Sequence, residues 1–166
     1  MKAQLYSFEP SIWASVPRLT LIEKGYHADD VEIKTVDLAK GENFSPAYLR
    51  INSKGTLPSL VVPLADTLSG EVDTKYRAIT GTHEVIKFLD QSRSAQILDA
   101  RGENGKANPA PVLGPATVEA SAIADRLIEL VHSQKADPNF LLLTARNREE
   151  LEKQKSGFQG VFVKNR

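Results

Sequence analysis

The 166-residue chain contains no cysteine. That absence removes disulfide staples, a thiolate nucleophile and cysteine-based metal sites together, so any thiol chemistry has to use the sulfur of a bound molecule. Net charge is missing too: Lys plus Arg and Asp plus Glu each total 21, for a formal charge of zero. With no one-signed field, neither nucleic acid nor an anionic membrane is an expected partner. The three histidines, His27, His83 and His132, are scattered without ligand spacing, and no metal is expected. No stretch approaches the roughly 20 apolar residues of a membrane span. The start Met1-Lys2-Ala3-Gln4-Leu5 has no secretory leader, which makes the cytosol the expected address. Against these absences, 41% of the residues are hydrophobic, enough to bury the core of one ordinary domain or two small ones.

Residues 3–8 (AQLYSF) alternate and read as a strand, and Trp13, Val16, Leu19 and Leu21 begin a helical stripe. Pro17 is expected in the first turn of that helix, where its missing N–H matters least, with Gly25 as the C-terminal stop. Residues 31–36 (VEIKTV) read as a second strand. Ser45-Pro46 is an N-cap followed by proline at the first helical position, so a short helix is expected over 47–51, closed by the Asn52-Ser53-Lys54-Gly55 turn. A strand entered through Pro58 covers 56–62, residues 65–75 read as a solvated loop, and 76–79 resume an apolar run. Thr82 is expected to cap a helix that buries Val85, Ile86 and Leu89. Residues 91–115 are rich in Gly, Pro, Asn and Ser and read as a linker. Beyond them Ala120, Ile123, Leu127, Leu130 and Val131 repeat at helical spacing, and Asp137-Pro138 starts a further helix expected to carry Phe140, Leu141, Leu142 and Leu151.

A strand–helix–strand opening, a proline-entered strand and a helix, then helices alone, is the order of a thioredoxin-like domain joined to an all-α domain. Residues 40–60 (KGENFSPAYLRINSKGTLPSL) resemble the cytosolic glutathione transferase segment with the pattern NPxGxVPxL, and residues 76–91 (YRAITGTHEVIKFLDQ) resemble that family's (L/I)TES.AI..YL helix start. The chain is thus similar to the serine-type, zeta/omega-like members of the family. The resemblance implies an α/β thioredoxin-like glutathione-binding domain over 1–92, a linker over 93–115 and a shortened, partial all-α domain over 116–166. It also implies that apolar residues such as Phe158, Val161, Phe162 and Val163 lack the helices that would cover them in longer members.

The same resemblance supplies a site. Leu57 takes the position before a cis-proline, Pro58, where free main-chain groups pair with glutathione's cysteinyl unit as an added strand. A trans proline at a strand start is the plainer alternative, and the surrounding Asn52, Lys54, Gly55 and Thr56 favour cis. Gly81-Thr82 occupies the acid-or-amide–Ser pair of the family: the Thr82 hydroxyl and the helix N-terminus would hold the γ-glutamyl carboxylate. Gly81 has no side chain for the γ-glutamyl ammonium, a loss of about 1–3 kcal/mol unless His83 or Glu84 replaces it. Counting back from Arg18, Ser11 falls where the family presents its activating hydroxyl, as a donor to the thiolate at a helix N-terminus. Its plainer role is an ordinary helix cap, with Tyr6, Ser7 and Ser15 as weaker candidates for activation. Lys54, ahead of Lys40, is the candidate for the glycyl carboxylate.

The implied activity is glutathione transfer, with glutathione as co-substrate, a small apolar electrophile as second substrate and a homodimer as assembly. The alternative is a non-catalytic glutathione-sensing or protein-interaction module on the same fold. Lacking cysteine, the chain cannot form a mixed disulfide itself.

Overall fold

A computed structural model describes residues 2–64, 75–93, 110–138, 144–157, 159–160 and 164. They fall into two compact units, residues 1–37 with 43–113 and residues 38–42 with 114–166.

In the first unit, β1 (Ala3–Ser7), β2 (Val31–Thr35), β3 (Ser59–Pro63) and β4 (Tyr76–Thr80) form one sheet in the order β2-β1-β3-β4. β1 runs parallel to β2 and antiparallel to β3, and β3 is antiparallel to β4. The parallel pair needs a crossover, and α1 (Ile12–Glu23) supplies it. Alternation puts Leu5, Leu60, Val62 and Ile79 on one face, where they meet Leu21 of α1 and Val85 and Leu89 of α3 (Thr82–Ser92) in a single buried cluster. Each such side chain contributes about 1.5–3 kcal/mol by leaving water. The opposite face, carrying Tyr6 and Ser59, receives Tyr48 from the short α2 (Pro46–Leu49), with the Tyr6 and Tyr48 rings edge to face at 5.6 Å. The thioredoxin-like α/β arrangement expected from the sequence is the one observed.

Local chemistry accounts for most element ends. Ser11 caps α1 by accepting from the Ala14 N–H at 3.3 Å, Ser45 caps α2 by accepting from the Tyr48 N–H at 3.3 Å, and Gly25 closes α1 at φ +67°.

Two expectations for the first unit need correction. Pro17 is the sixth residue of α1 and fully buried, not a first-turn residue. The helix begins at Ile12 because Ser11 caps it there, which moves the proline inside and deprives the Trp13 carbonyl of its usual i+4 donor. Nor is Thr82 the cap of α3: Gly81 is, at φ +90° and without a side-chain cap bond. That left-handed backbone favours glycine over a hydroxyl-bearing residue.

The second unit contains α4 (Val118–Val131), capped by Thr117, and α5 (Arg148–Ser156), capped by Asn147 and carrying an Arg146–Glu150 pair at its start. Leu151 sits on α5, which has its own cap, so it does not continue a helix begun at Pro138. The expected positions of Phe140, Leu141 and Leu142 lie outside the described residues, as do the loop residues 65–74, linker residues 94–109, Phe158, Val161, Phe162 and Val163. Among the described residues no helix is long and apolar enough to cross a membrane.

Candidate functional site

Strand register brings three separated segments to one end of the sheet. Tyr6 faces Ser59 and Ser59 faces Thr80. The chain leaving β1 toward Ser11, the chain entering β3 through Leu57-Pro58 and the chain leaving β4 into Gly81-Thr82 therefore all emerge at the same edge. Two bonds tie them together: the Gly81 N–H donates to the Pro58 carbonyl at 3.3 Å, and the Thr82 hydroxyl donates to the Trp13 carbonyl at 3.4 Å. The second is long for an O–H donor. It falls on the carbonyl to which residue 17, a proline without an N–H, cannot donate.

Ser11 stands half-exposed at the α1 N-terminus, and among the described residues no hydrogen bond uses its hydroxyl proton. That proton is available to an acceptor beside a helix end whose dipole favours negative charge. The weaker candidates are otherwise engaged: Ser7 is buried and donates to the Ala14 carbonyl, Ser15 donates to the Ile12 carbonyl at 2.6 Å, and Tyr6 donates to Gln4.

The Leu57–Pro58 peptide is cis. Among the described residues neither the N–H nor the C=O of Leu57 enters a hydrogen bond, although Leu57 is half-buried. At α3 the first intrahelical bond runs from the Val85 N–H to the Gly81 carbonyl, leaving the N–H groups of Thr82, His83 and Glu84 ahead of it. An ideal Cβ at Gly81 would meet nothing within 4 Å, so the space beside this helix end is open. Such a terminus favours a carboxylate. The Thr82 side chain has one proton and spends it on Trp13, leaving main-chain N–H groups as the donors there.

Lys54 is exposed, its main-chain N–H bonded to Asn52 Oδ1 at 3.1 Å and its ammonium without a partner among the described residues. Lys40 belongs to the second unit, and the first unit does not bring it together with the others. His83 and Glu84 are exposed on the first turn of α3.

A buried network under Leu57 had no counterpart in the sequence reading. The Tyr48 hydroxyl donates to the Thr56 carbonyl at 2.7 Å and lies 2.9 Å from Ser59 Oγ. Asn52 Nδ2 donates to the Thr56 carbonyl, to Thr56 Oγ1 and to Ser59 Oγ at 2.8, 3.0 and 3.2 Å. Burial pushes the Tyr48 phenol above its ordinary range, against the opposing effect of its bonds to Ser59 and Asn52. Gly55 turns the loop at φ +62°, where a Cβ would press on the Phe44 ring and the Asn43 carbonyl. Asn43 grips the same glycine, its amide donating to the Gly55 carbonyl at 2.7 Å, while its own Oδ1 is buried without a partner among the described residues.

Comparison with known proteins agrees with this architecture. Residues 5–96 match the family model described as the glutathione S-transferase N-terminal domain. The chain is 44% identical over 71 residues to Glutathione S-transferase 1 of Dianthus caryophyllus, covering 41% of this chain and 31% of that protein. It is 40% identical over 62 residues to the tetrachloro-p-hydroquinone reductive dehalogenase of Sphingobium chlorophenolicum, covering 37% of this chain and 24% of that protein. A solved structure described as a possible glutathione S-transferase from Rhodopseudomonas palustris superposes with a TM-score of 0.60 at 17% identity, covering 98% of this chain and 60% of that one. The matched stretches thus span about a third or less of the curated relatives.

Proposed function

The chain belongs to the glutathione S-transferase family through its N-terminal domain, and on that premise we propose that it binds glutathione at the Ser11–Leu57–Thr82 edge and activates the tripeptide's thiol for attack on a small apolar electrophile. The observation that carries the proposal is the convergence of three unspent donors at one sheet end: the Ser11 hydroxyl, the Leu57 N–H and the α3 N-terminal amides. The extended cysteinyl unit pairs with Leu57 as an added strand. Its γ-glutamyl carboxylate meets the N–H groups of Thr82 and His83, and its glycyl carboxylate meets Lys54. Ser11 then donates to the sulfur while the α1 dipole favours the thiolate. The thiol proton passes to solvent, the sulfur lone pair forms the new C–S bond as the electrophile's leaving group departs with its electron pair, and Ser11 keeps its own proton throughout. No cysteine of this chain takes part, since it has none.

A cytoplasmic homodimer with a domain division near residue 92 and a linker over 93–115 completes the proposal. The Gly81 observation favours a second reading: with no side chain facing the γ-glutamyl ammonium, the same edge serves a non-catalytic module that senses glutathione or binds a protein. Conjugation of glutathione to a chromogenic aromatic electrophile separates the two. Transfer requires turnover that falls at least about tenfold in Ser11→Ala, the scale of one lost thiolate donor. Binding without turnover selects the sensing module.

A further inference from the structure

We infer that the Tyr48 hydroxyl is a positioning group that fixes the direction of the Leu57 N–H by gripping the other edge of the same peptide plane. This rests on the reading of Leu57 as the place where glutathione pairs. Thr56–Leu57 is a trans peptide, so its C=O and N–H lie in one rigid plane and point opposite ways. Whatever holds the Thr56 carbonyl on the core side therefore aims the Leu57 N–H at the open side.

Proton bookkeeping singles out Tyr48. The phenol has one proton, and at 2.7 Å it goes to the Thr56 carbonyl. Ser59 Oγ, 2.9 Å away, must then donate to the phenol oxygen while accepting from Asn52. Asn52 has only two amide hydrogens for three acceptors, two of them on Thr56. Its amide is shared among the three, whereas the phenol gives its single proton to the carbonyl alone, from a buried ring set edge-on against Tyr6. Without it, Ser59 Oγ, already 3.5 Å from the Thr56 carbonyl, swings onto that oxygen and tilts the plane.

The test uses Tyr48→Phe in the full chain, with glutathione binding by calorimetry and the Leu57 amide resonance by NMR. The expected result is a glutathione dissociation constant about five- to tenfold weaker, the size of one misaligned neutral hydrogen bond. The Leu57 amide resonance shifts, while the pH profile of the bound thiol's ionisation stays put because Ser11 is untouched. Ser59→Ala keeps the Tyr48–Thr56 bond and binds within about twofold of the unmutated protein. Equal losses in both variants would indicate general loosening and overturn the inference. So would an unmoved Leu57 resonance, whether or not glutathione binds. If the unmutated protein fails to bind glutathione, the functional reading falls, and the resonance alone still decides the role of Tyr48. Should Tyr48→Phe not fold, the unmutated protein decides: the Leu57 amide must exchange readily with solvent, and a protected one overturns the inference.

Discussion

Lys24 offers the sharpest test of how the first unit holds together. It is the C-cap residue of α1, yet its side chain is 1% exposed and its Nζ lies 2.8 Å from Asp90 Oδ1, itself only 12% exposed, on α3. The same ammonium donates to the Pro111 carbonyl at 2.6 Å, and Asp90 Oδ1 also accepts from the Leu113 N–H at 3.0 Å. One ion pair thus clamps the segment around the buried Ala110 onto the ends of both helices. Lys24→Met keeps the length of the stem but takes the ammonium from Asp90 and its N–H donor from the Pro111 carbonyl. Removing one partner of a buried pair costs about 3–5 kcal/mol, because the remaining charge stays desolvated. For a chain of this size, at about 2–4 °C per kcal/mol, the melting temperature should fall by about 6–20 °C in a thermal scan. Adding Asp90→Leu to the variant should recover most of the loss, since the uncompensated charge goes with it. A single variant melting within about 2 °C of the parent, or a double variant no better than the single one, would refute the clamp.

Pro17→Ala should return an N–H to the Trp13 carbonyl, stabilise the chain by about 1 kcal/mol after the lost ring contacts, and free the Thr82 hydroxyl to donate to a bound carboxylate. Tighter glutathione binding together with a higher melting temperature checks both halves, and a weaker, less stable protein contradicts them. Gly55→Ala should cost about 1–3 kcal/mol, from φ +62° and from the press of the new Cβ on Phe44 and the Asn43 carbonyl; urea denaturation reads it, and a neutral result would mean the loop relaxes freely. The raised phenol of Tyr48 carries a sign. A group whose folded value lies above its ordinary 10.0 keeps its full contribution below pH 10.0 and loses it as pH rises through the folded value, so stability should drop on the alkaline side. Tyr26, raised mainly by burial, adds in the same direction. Tyr48→Phe should flatten part of that alkaline loss in a pH series of denaturation curves, and an unchanged slope would argue against a buried neutral phenol.

Much of the first unit was legible in the chain because its signals are local. Ser45-Pro46, the Asn52–Gly55 turn and Gly25 each state their backbone requirement within four residues, and alternation marked the first two strands, a proline entry the third and an apolar run the fourth. The candidate site rests on resemblance, which pointed to Ser11, Leu57, Pro58, Gly81 and Thr82, and the sheet register brings the segments that carry them to one edge. What escaped depends on partners far away. Lys24 reads as a solvated helix-end lysine until a carboxylate 66 residues on is folded against it. Tyr48 reads as another apolar position of α2, and only the sheet reveals what its hydroxyl touches. Pro17, expected in the first turn, lies inside α1 because Ser11 caps the helix and starts it at Ile12. Thr82 carries a hydroxyl that suits a cap, whereas the positive-φ turn that starts α3 belongs to Gly81.

Calorimetric titration of the full chain with glutathione, set beside a Leu57→Pro variant that removes the proposed N–H donor along with the leucine side chain and is shown to melt like the parent, tests the central claim most directly. The account predicts saturable one-to-one binding at about 1 mM or tighter for the parent and at least about tenfold weaker binding for the variant. No saturable heat from the parent, or equal affinity in both, would contradict it.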